Sequence, residues 1–198
     1  MQEPVPIHRV QEAIFEFCRG RSDVVVFGAQ AVNLYAPDAR MTQDVDLLSA
    51  DPRGVASALA QTLGEQLHLA ICVREVRPGE GFRVYQLRRD DNRHLADVRL
   101  AEFSLDDSVE RNGVKFVSLP AVVALKLQAL TKRRLAPKGA TDLADLRRLL
   151  IAHPELRTKA GSVVDAITRT GGSEDALRAW LELLEQPVVT DEDVDEGY

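Results

Sequence analysis

Apolar positions follow two periods along the chain, and the change from one period to the other divides it. Up to residue 119, apolar residues that alternate with polar ones or run continuously predict strands, interspersed with a few stretches of helical period. After residue 119 only the helical period occurs. The predicted strands are 23–27, 44–48, 68–76, 82–88, 94–100 and 115–117. The predicted helices are 6–19, 29–35, 55–63, 121–132, 142–151, 162–167 and 174–184.

A strand-rich first part followed by helices is typical of the α+β class. The sequence predicts a core over residues 1–119, a helical subdomain over 120–186 and an acidic tail over 187–198 that is too polar to fold alone. Thr141 or Asp142 is expected to cap the helix 142–151, and Ser173 the last helix. Trp180 lies among leucines at helical spacing and is expected in the core of the helical subdomain.

The composition fits a protein that folds without disulfide bonds. The chain has 198 residues, 45% hydrophobic and 28% charged, which suits one globular domain, or one domain with a small helical appendage. Cys18 and Cys72 each lie in an apolar segment and are expected to be buried free thiols. No apolar run approaches the ~20 residues that cross a bilayer, and the first residues lack the pattern of a signal peptide. We therefore expect a cytoplasmic protein without a membrane partner.

Charge is distributed unevenly along the chain. The net charge is -6, and the last nine residues hold five acids and no base. From Lys126 to Arg148 there are seven bases and two acids. Two interpretations stay open: a solvated tail and a solvated helix face, or a surface that meets phosphates while the tail modulates access.

Two aspartates stand two positions apart in the segment 42–48. Side chains alternate along a strand, so Asp44 and Asp46 are expected on one face while Val45 and Leu47 point into the core. Two carboxylates ~7 Å apart on one strand face can bind one divalent ion or bridge two. Because these ligands are all oxygen, Mg²⁺ or Mn²⁺ is favoured over Zn²⁺. Asp-x-Asp also occurs in many solvated turns, so the surrounding sequence must show whether this pair is a metal site.

Gly28 and Asp97 supply that context. Gly28 ends a buried strand and precedes a helix, where it lets a phosphate approach the backbone amides of the helix N-terminus. Along the strand 94–100, strict alternation places His94 in the core-facing set and Asp97 on the polar face, as a candidate third carboxylate. The other interpretation of Asp97 is a surface partner of Arg99.

These residues resemble the nucleotidyltransferase (polymerase-beta-like) superfamily. Its pattern is an apolar residue, Gly, and Gly or Ser, then Asp-x-Asp, then a third Asp. Here Phe27-Gly28, Asp44-Val45-Asp46 and Asp97 follow this pattern, and Ala29 departs from it at the Gly or Ser position. The segments 27–35 and 40–47, with the element Arg-x-Thr-x-Asp-x-Asp-Leu, are similar to the AbiEii/MenT-type branch, which includes toxins of bacterial toxin–antitoxin systems. The resemblance covers about residues 22–150. It implies an α+β fold, in which a mixed sheet flanked by helices precedes a C-terminal helical subdomain.

The resemblance also implies a metal site. Asp44, Asp46 and Asp97 would hold Mg²⁺ or Mn²⁺, and Asp97 would help to deprotonate the acceptor hydroxyl. Gly28 and Ala29 would offer backbone amides to the triphosphate.

Further residues would face the phosphates of the nucleotide. In the downstream helices, Lys126 is expected to contact phosphates and Asp142 to orient a basic residue; a snorkelling Lys126 is the other interpretation. The full set of expected nucleotide-side residues is Gly28, Ala29, Arg40, Thr42, Lys126, Arg133, Lys138 and Asp142.

The leading hypothesis is transfer of a nucleoside monophosphate from a nucleoside triphosphate to an acceptor hydroxyl, with release of pyrophosphate. The expected acceptor is RNA, in particular tRNA, in a toxin–antitoxin-like context with an antitoxin protein as partner. A small hydroxylated molecule of the antibiotic type is the alternative acceptor. A non-catalytic interaction module is a third interpretation, since Ala29 has no hydroxyl for a phosphate and Thr141 stands where relatives often have lysine.

Other chemistries have no motif in this sequence. It contains no Gly-Lys-Ser/Thr phosphate loop, no Gly-x-Gly-x-x-Gly and no Gly-x-Ser-x-Gly element. The four histidines are scattered and show no zinc-ligand spacing.

Overall fold

The computed structural model describes residues 5–187. Within them, the strands are β1 (Val25–Phe27), β2 (Val45–Ser49), β3 (Ile71–Arg77), β4 (Gly81–Gln86), β5 (Arg93–Leu100), β6 (Ser108–Arg111) and β7 (Val114–Val117). The α-helices are α1 (Ile7–Cys18), α2 (Gly28–Tyr35), α3 (Pro52–Leu67), α4 (Leu119–Arg133), α5 (Pro137–Ala152), α6 (Ser162–Arg169) and α7 (Glu174–Glu185), with a 3₁₀ turn at Pro154–Leu156.

The seven strands form one mixed sheet in the order β3-β4-β5-β2-β1-β7-β6. At its centre β2 runs parallel to β5 and antiparallel to β1, and β1 runs parallel to β7. The neighbours β3–β4, β4–β5 and β6–β7 pair antiparallel. A mixed sheet with helices confirms the predicted α+β class.

The central strands are built from residues that must be buried on at least one side. All three residues of β1 are buried, as expected of a strand covered on both faces. Along β2, Val45 and Leu47 are fully buried, which confirms that they point into the core. Helix α3 packs on β3, β4 and β5, and α1 packs on α3, so these helices cover one face of the strands. Asp46 alternates with Val45 and Leu47 and belongs to the opposite face.

The C-terminal part is helical. Helix α4 packs against α5, α6 and α7. Trp180 on α7 is fully buried and its indole N–H donates to the carbonyl of Thr158 at 3.1 Å, which confirms the predicted core position. No helix in the described range 5–187 is long and apolar enough to cross a membrane.

Contacts group the described residues into two units. The first comprises the residues up to Ala31 together with Arg40–Ser118, and contains the sheet. The second comprises Val32–Ala39 together with the residues from Leu119 onwards. The end of α2 and the turn after it therefore group with the helices, although the sequence placed them in the core segment. The acidic residues after Pro187 lie outside the described residues.

Several local expectations were wrong. Strand β6 was not predicted, because its four residues carry no apolar alternation. Helix α5 starts at Pro137, so Thr141 and Asp142 lie inside the helix and do not cap it. Ser173 stands at the N-cap of α7, but its side chain makes no capping hydrogen bond. Cys18 is buried as expected, whereas Cys72 on the edge strand β3 is only half-buried.

Candidate functional site

Three aspartates meet at the centre of the sheet. Asp46 on β2 and Asp97 on β5 are direct partners in the parallel pairing of these strands. Asp44 lies immediately before β2, two residues from Asp46. Asp97 is the most buried of the three, with only 9% of its side chain exposed, against 20% for Asp46 and 32% for Asp44. The aspartates that the sequence singled out for metal binding therefore come from two adjacent strands of one sheet.

The absence of a side chain at Gly28 leaves room for one of these carboxylates. Its φ of 66° lies in the left-handed region, which favours glycine. A Cβ at this position would collide with the carboxylate of Asp46, from the partner strand of β1. Glycine at position 28 thus lets the backbone turn from β1 into α2 while Asp46 packs directly against it. Ala29 follows, buried, in the first turn of α2.

His94 joins the aspartates, and the expectation that it faces the core was wrong. The register of β4 against β5 shifts between Val84 and Tyr85, so that Leu95 of β5 has no partner of its own. A β-bulge of this kind inserts one residue and reverses the alternation of side chains beyond it. His94 and Asp97, which strict alternation would separate, therefore share a face.

The imidazole of His94 lies between two carboxylates. Its Nδ1 is 3.1 Å from Oδ2 of Asp44, and its Nε2 is 3.5 Å from Oδ1 of Asp97. Burial lowers the pKa of His94, but the hydrogen bonds and charges of Asp44 and Asp97 outweigh it and raise that pKa to about 10. The hydrogen bond from His94 in turn lowers the pKa of Asp44. The protonated imidazole therefore places positive charge between these two carboxylates.

Two arginines complete the electrostatics. Arg83 Nε donates to Oδ1 of Asp97 at 2.9 Å, and Arg99 Nη2 lies 3.2 Å from Oδ2 of Asp97 and 3.5 Å from Oδ1 of Asp46. Burial would raise the pKa of Asp97, but the His94 hydrogen bond and the charges of Arg99 and Arg83 hold it well below its usual value. Both guanidinium groups remain about half exposed. They can therefore meet an anion that enters the site.

Thr42 is hydrogen-bonded both to Asp44 and to helix α1. Its hydroxyl donates toward Oδ1 of Asp44 at 3.3 Å, and its carbonyl accepts a hydrogen bond from Gln11 of α1 at 2.8 Å. Arg40, also expected on the nucleotide side, lies half-buried in the same segment and points Nη1 toward the carbonyl of Met41. The Thr42 hydroxyl also lies 3.2 Å from the backbone carbonyl oxygen of Asp44, so it holds the residues just before β2 in place; its phosphate contact stays a prediction.

The other expected phosphate-side residues belong to the helical unit. Lys126 is buried, and its Nζ donates to Asp142 at 3.0 Å and to Asp145 at 2.7 Å. Arg133 Nε donates to the second oxygen of Asp142 at 2.6 Å, while Lys138 is exposed in the first turn of α5. Burying a lone charged ammonium group costs free energy, and the carboxylates of Asp142 and Asp145 offset that cost within the helical unit. The ammonium of Lys126 thus has carboxylate partners where a phosphate was expected.

The donor set suits a divalent cation. One ligand atom each from Asp44, His94 and Asp97 lies within 4.8 Å of the other two. Asp46 adds a carboxylate beside them, as the strand partner of Asp97. Carboxylate oxygens suit Mg²⁺ and Mn²⁺, and an imidazole nitrogen suits transition ions.

Sequence reasoning missed His94, Arg83 and Arg99 as parts of this site. Alternation along β5 alone places Arg99 on the face of Asp97, and pairing β4 with β5 places Arg83 opposite Asp97. His94 depends on the bulge, for which the sequence carries no signal.

Comparisons with solved structures report the same fold. The Megavirus polyadenylate synthase aligns with a TM-score of 0.59 at 15% identity, covering 74% of this chain and 31% of that one. A candidate nucleotidyltransferase from Helicobacter pylori aligns with a TM-score of 0.56 at 13% identity, covering 92% of each chain. JHP933, also from Helicobacter pylori, aligns with a TM-score of 0.50 at 13% identity, covering 89% of this chain and 87% of that one.

These alignments bear on the fold alone. This chain spans less than a third of the polyadenylate synthase but nearly the full length of the candidate nucleotidyltransferase. No protein-family profile matches the chain, and no curated protein matches it in sequence. At these low identities the structural likeness concerns the arrangement of strands and helices, and the mixed sheet with its flanking helices is a nucleotidyltransferase fold.

Proposed function

We propose that the protein is a metal-dependent nucleotidyltransferase, which moves a nucleoside monophosphate from a nucleoside triphosphate to an acceptor hydroxyl. One observation carries the proposal: Asp46 and Asp97 pair across adjacent strands, with Asp44 beside them and the Gly28 turn packed against Asp46. The nucleotidyltransferase fold supports it. A decayed site has less support, because its carboxylates remain clustered.

The reaction requires one bond exchange. The acceptor oxygen forms a bond to the α-phosphorus, the bond from that phosphorus to the oxygen bridging to the β-phosphate breaks, and pyrophosphate leaves with the electron pair. A bound divalent ion would supply positive charge to the attacking and leaving oxygens. Asp44, Asp46 and Asp97 would hold it. Asp97 would help to accept the proton of the acceptor hydroxyl, which then passes to bulk solvent.

Other residues of the first unit would bind the triphosphate. Gly28 and Ala29 are the first two residues of α2, and their backbone amides would donate to the triphosphate, because a helix N-terminus favours anions. Arg83 and Arg99, half exposed beside the carboxylates, would neutralise phosphate charge. For binding a phosphate, we favour these two arginines over Thr42, whose hydroxyl is already hydrogen-bonded to Asp44.

RNA, in particular tRNA, is the acceptor class that we propose. Arg74, Arg83 and Asp97 are consecutive register partners across β3, β4 and β5, so Arg74 lies beyond Arg83 on the way from the carboxylates to the sheet edge. Arg74 is exposed and would meet the phosphodiester backbone of an RNA acceptor, while Arg83 would face the triphosphate. One structural neighbour is a polyadenylate synthase, which also favours an RNA acceptor.

The basic segment from Lys126 to Arg148 supports RNA binding less than its composition indicated. Lys126 and Arg133 pair with Asp142, and Arg134 pairs with Glu182. These charges are neutralised within the helical unit.

The resemblance to AbiEii/MenT-type proteins extends the proposal to a toxin held in check by an antitoxin protein. Induced expression of the wild type in a bacterial host should then arrest growth, and Asp44→Ala should relieve the arrest at equal protein level. Growth arrest by both proteins would contradict a toxic nucleotidyltransferase.

A labelled-transfer assay tests the proposed reaction. The protein is incubated with each α-³²P-labelled nucleoside triphosphate, Mg²⁺ or Mn²⁺, and either total tRNA or a panel of aminoglycoside and lincosamide acceptors. We expect label in tRNA with the wild type and none with Asp44→Ala. If only a small molecule is labelled, RNA is wrong as the acceptor class and a small hydroxylated molecule takes its place. Equal labelling by both proteins would overturn the proposed function.

A further inference from the structure

The carboxylates of the candidate site have a nitrogen donor among them. The bulge at Leu95 brings the imidazole of His94 onto the face of Asp97, and its Nδ1 lies 3.1 Å from Oδ2 of Asp44. An all-oxygen site has no such donor, and magnesium does not require one. The chain therefore departs from the oxygen-only set that its Asp-x-Asp motif predicted.

The surroundings of His94 hold the ring in one orientation. Nε2 lies 3.2 Å from the carbonyl oxygen of Ala96, and Tyr85, the strand partner of His94, packs its ring at 5.2 Å from the imidazole. Metal-bound histidines commonly donate their second ring nitrogen to a carbonyl or carboxylate, which leaves the other nitrogen's lone pair for the ion. In the tautomer that donates from Nε2 to Ala96, Nδ1 would be the ligand atom, and a metal ion would replace the proton that Nδ1 shares with Asp44.

We propose that His94 is a nitrogen ligand of the divalent ion, and that it makes the site select Mn²⁺ and the later first-row ions over Mg²⁺. The inference concerns the metal preference of the site and so rests on the proposed function. Mg²⁺ is a hard ion that keeps oxygen ligands and water, whereas imidazole binds Mn²⁺, Co²⁺ and Zn²⁺ well. One imidazole among carboxylates thus favours the transition ions.

Nucleotide-free metal binding tests this inference separately from catalysis. Wild type, His94→Gln and the matched control His8→Gln, whose histidine is exposed on α1, are titrated with Mn²⁺ by electron paramagnetic resonance and with Mg²⁺ by calorimetry. We expect His94→Gln to weaken Mn²⁺ binding by about tenfold or more and Mg²⁺ binding by less than about threefold. His8→Gln should match the wild type for both ions.

A spectroscopic measurement on the wild type removes any dependence on how the variant folds. Electron spin echo modulation of bound Mn²⁺ should show coupling to a ¹⁴N nucleus, and ¹⁵N-histidine labelling should change that pattern. Absence of nitrogen coupling, or equal losses of Mn²⁺ and Mg²⁺ affinity in His94→Gln, would overturn the inference and leave His94 as an ion-pair partner of Asp44. Nucleotidyl transfer can fail while nitrogen coupling persists, so the two failures are distinguishable.

Discussion

Asp46 and Asp97 are register partners on the parallel strands β2 and β5, and Arg99 Nη2 lies within 3.5 Å of an oxygen of each. Two carboxylates at neighbouring positions repel one another unless positive charge is shared between them. Arg99 supplies such charge from β5 itself, and His94 and Arg83 supply more to Asp97. The site is therefore a set of acids held together by bases on the same face of the sheet.

Gly28→Ala should disable the site through Asp46. The new Cβ would collide with the Asp46 carboxylate, and the residue would also keep a strained positive φ, which costs about 1–2 kcal/mol. Gly79→Ala is the matched control, because Gly79 has φ 71° and open space around its Cα. We expect both variants to lose stability in urea unfolding, Gly28→Ala more, and only Gly28→Ala to lose transfer activity by at least about tenfold. Equal effects of the two substitutions would show that the contact with Asp46 is unimportant.

Lys126→Met should destabilise the helical unit. It would leave Asp142 and Asp145 buried with less positive charge, and breaking a buried ion pair from one side costs about 3–5 kcal/mol. Arg134→Met, which removes an exposed bridge to Glu182, should cost no more than about 1 kcal/mol. The free energy of unfolding of both variants is measured in urea. A loss below about 1 kcal/mol for Lys126→Met would contradict a structural role for this lysine.

Part of the site follows from the sequence alone. Alternation along β2 puts Asp44 and Asp46 opposite the buried Val45, and the strand-to-helix turn requires a residue such as Gly28. These features are local, so a strand pattern and a turn signal suffice to predict them. The α+β class follows in the same way from the order of strands and helices.

The rest depends on long-range pairing. The bulge that turns His94 toward the site arises in the register of β4 against β5, which no local pattern encodes. The partners of Lys126 come from the next helix, 16 and 19 residues away, so the sequence showed a lone lysine in an apolar helix. Helix α5 begins early because Pro137 can occupy a first helical turn, and the expected cap at Asp142 became an interior ion-pair residue.

The two cysteines should differ in reactivity. Burial raises the pKa of the Cys18 thiol to about 12, so it holds almost no thiolate at pH 8, whereas Cys72 is only half-buried on the edge strand β3. Native protein should react with one equivalent of Ellman's reagent, and unfolded protein with two. Cys72→Ser should abolish the native reaction. Rapid reaction of native Cys72→Ser would contradict the burial of Cys18.

Arg99→Met should impair transfer without unfolding the protein. Its guanidinium contacts Asp46 and Asp97 and is half exposed, so its loss removes charge where phosphates would enter. We expect kcat/KM for the nucleoside triphosphate to fall on the order of 100-fold. Arg53→Met serves as control, since Arg53 pairs with Glu75 at the surface and its loss should change kcat/KM by less than about threefold. Similar kinetics for the two variants would exclude a catalytic contribution from Arg99.

Release of pyrophosphate tests nucleotidyl transfer at the three aspartates, because it reports cleavage between the α- and β-phosphates. Wild type, Asp46→Asn, Asp97→Asn and the control Asp38→Asn, an exposed aspartate, are compared with tRNA, a nucleoside triphosphate and Mn²⁺ or Mg²⁺. We expect wild type and Asp38→Asn to release one pyrophosphate per nucleotide transferred, in a metal-dependent way, and Asp46→Asn and Asp97→Asn to lose at least about 100-fold of this activity. Equal release by all four proteins, or none by the wild type with any nucleotide and either metal, would contradict nucleotidyl transfer at these aspartates.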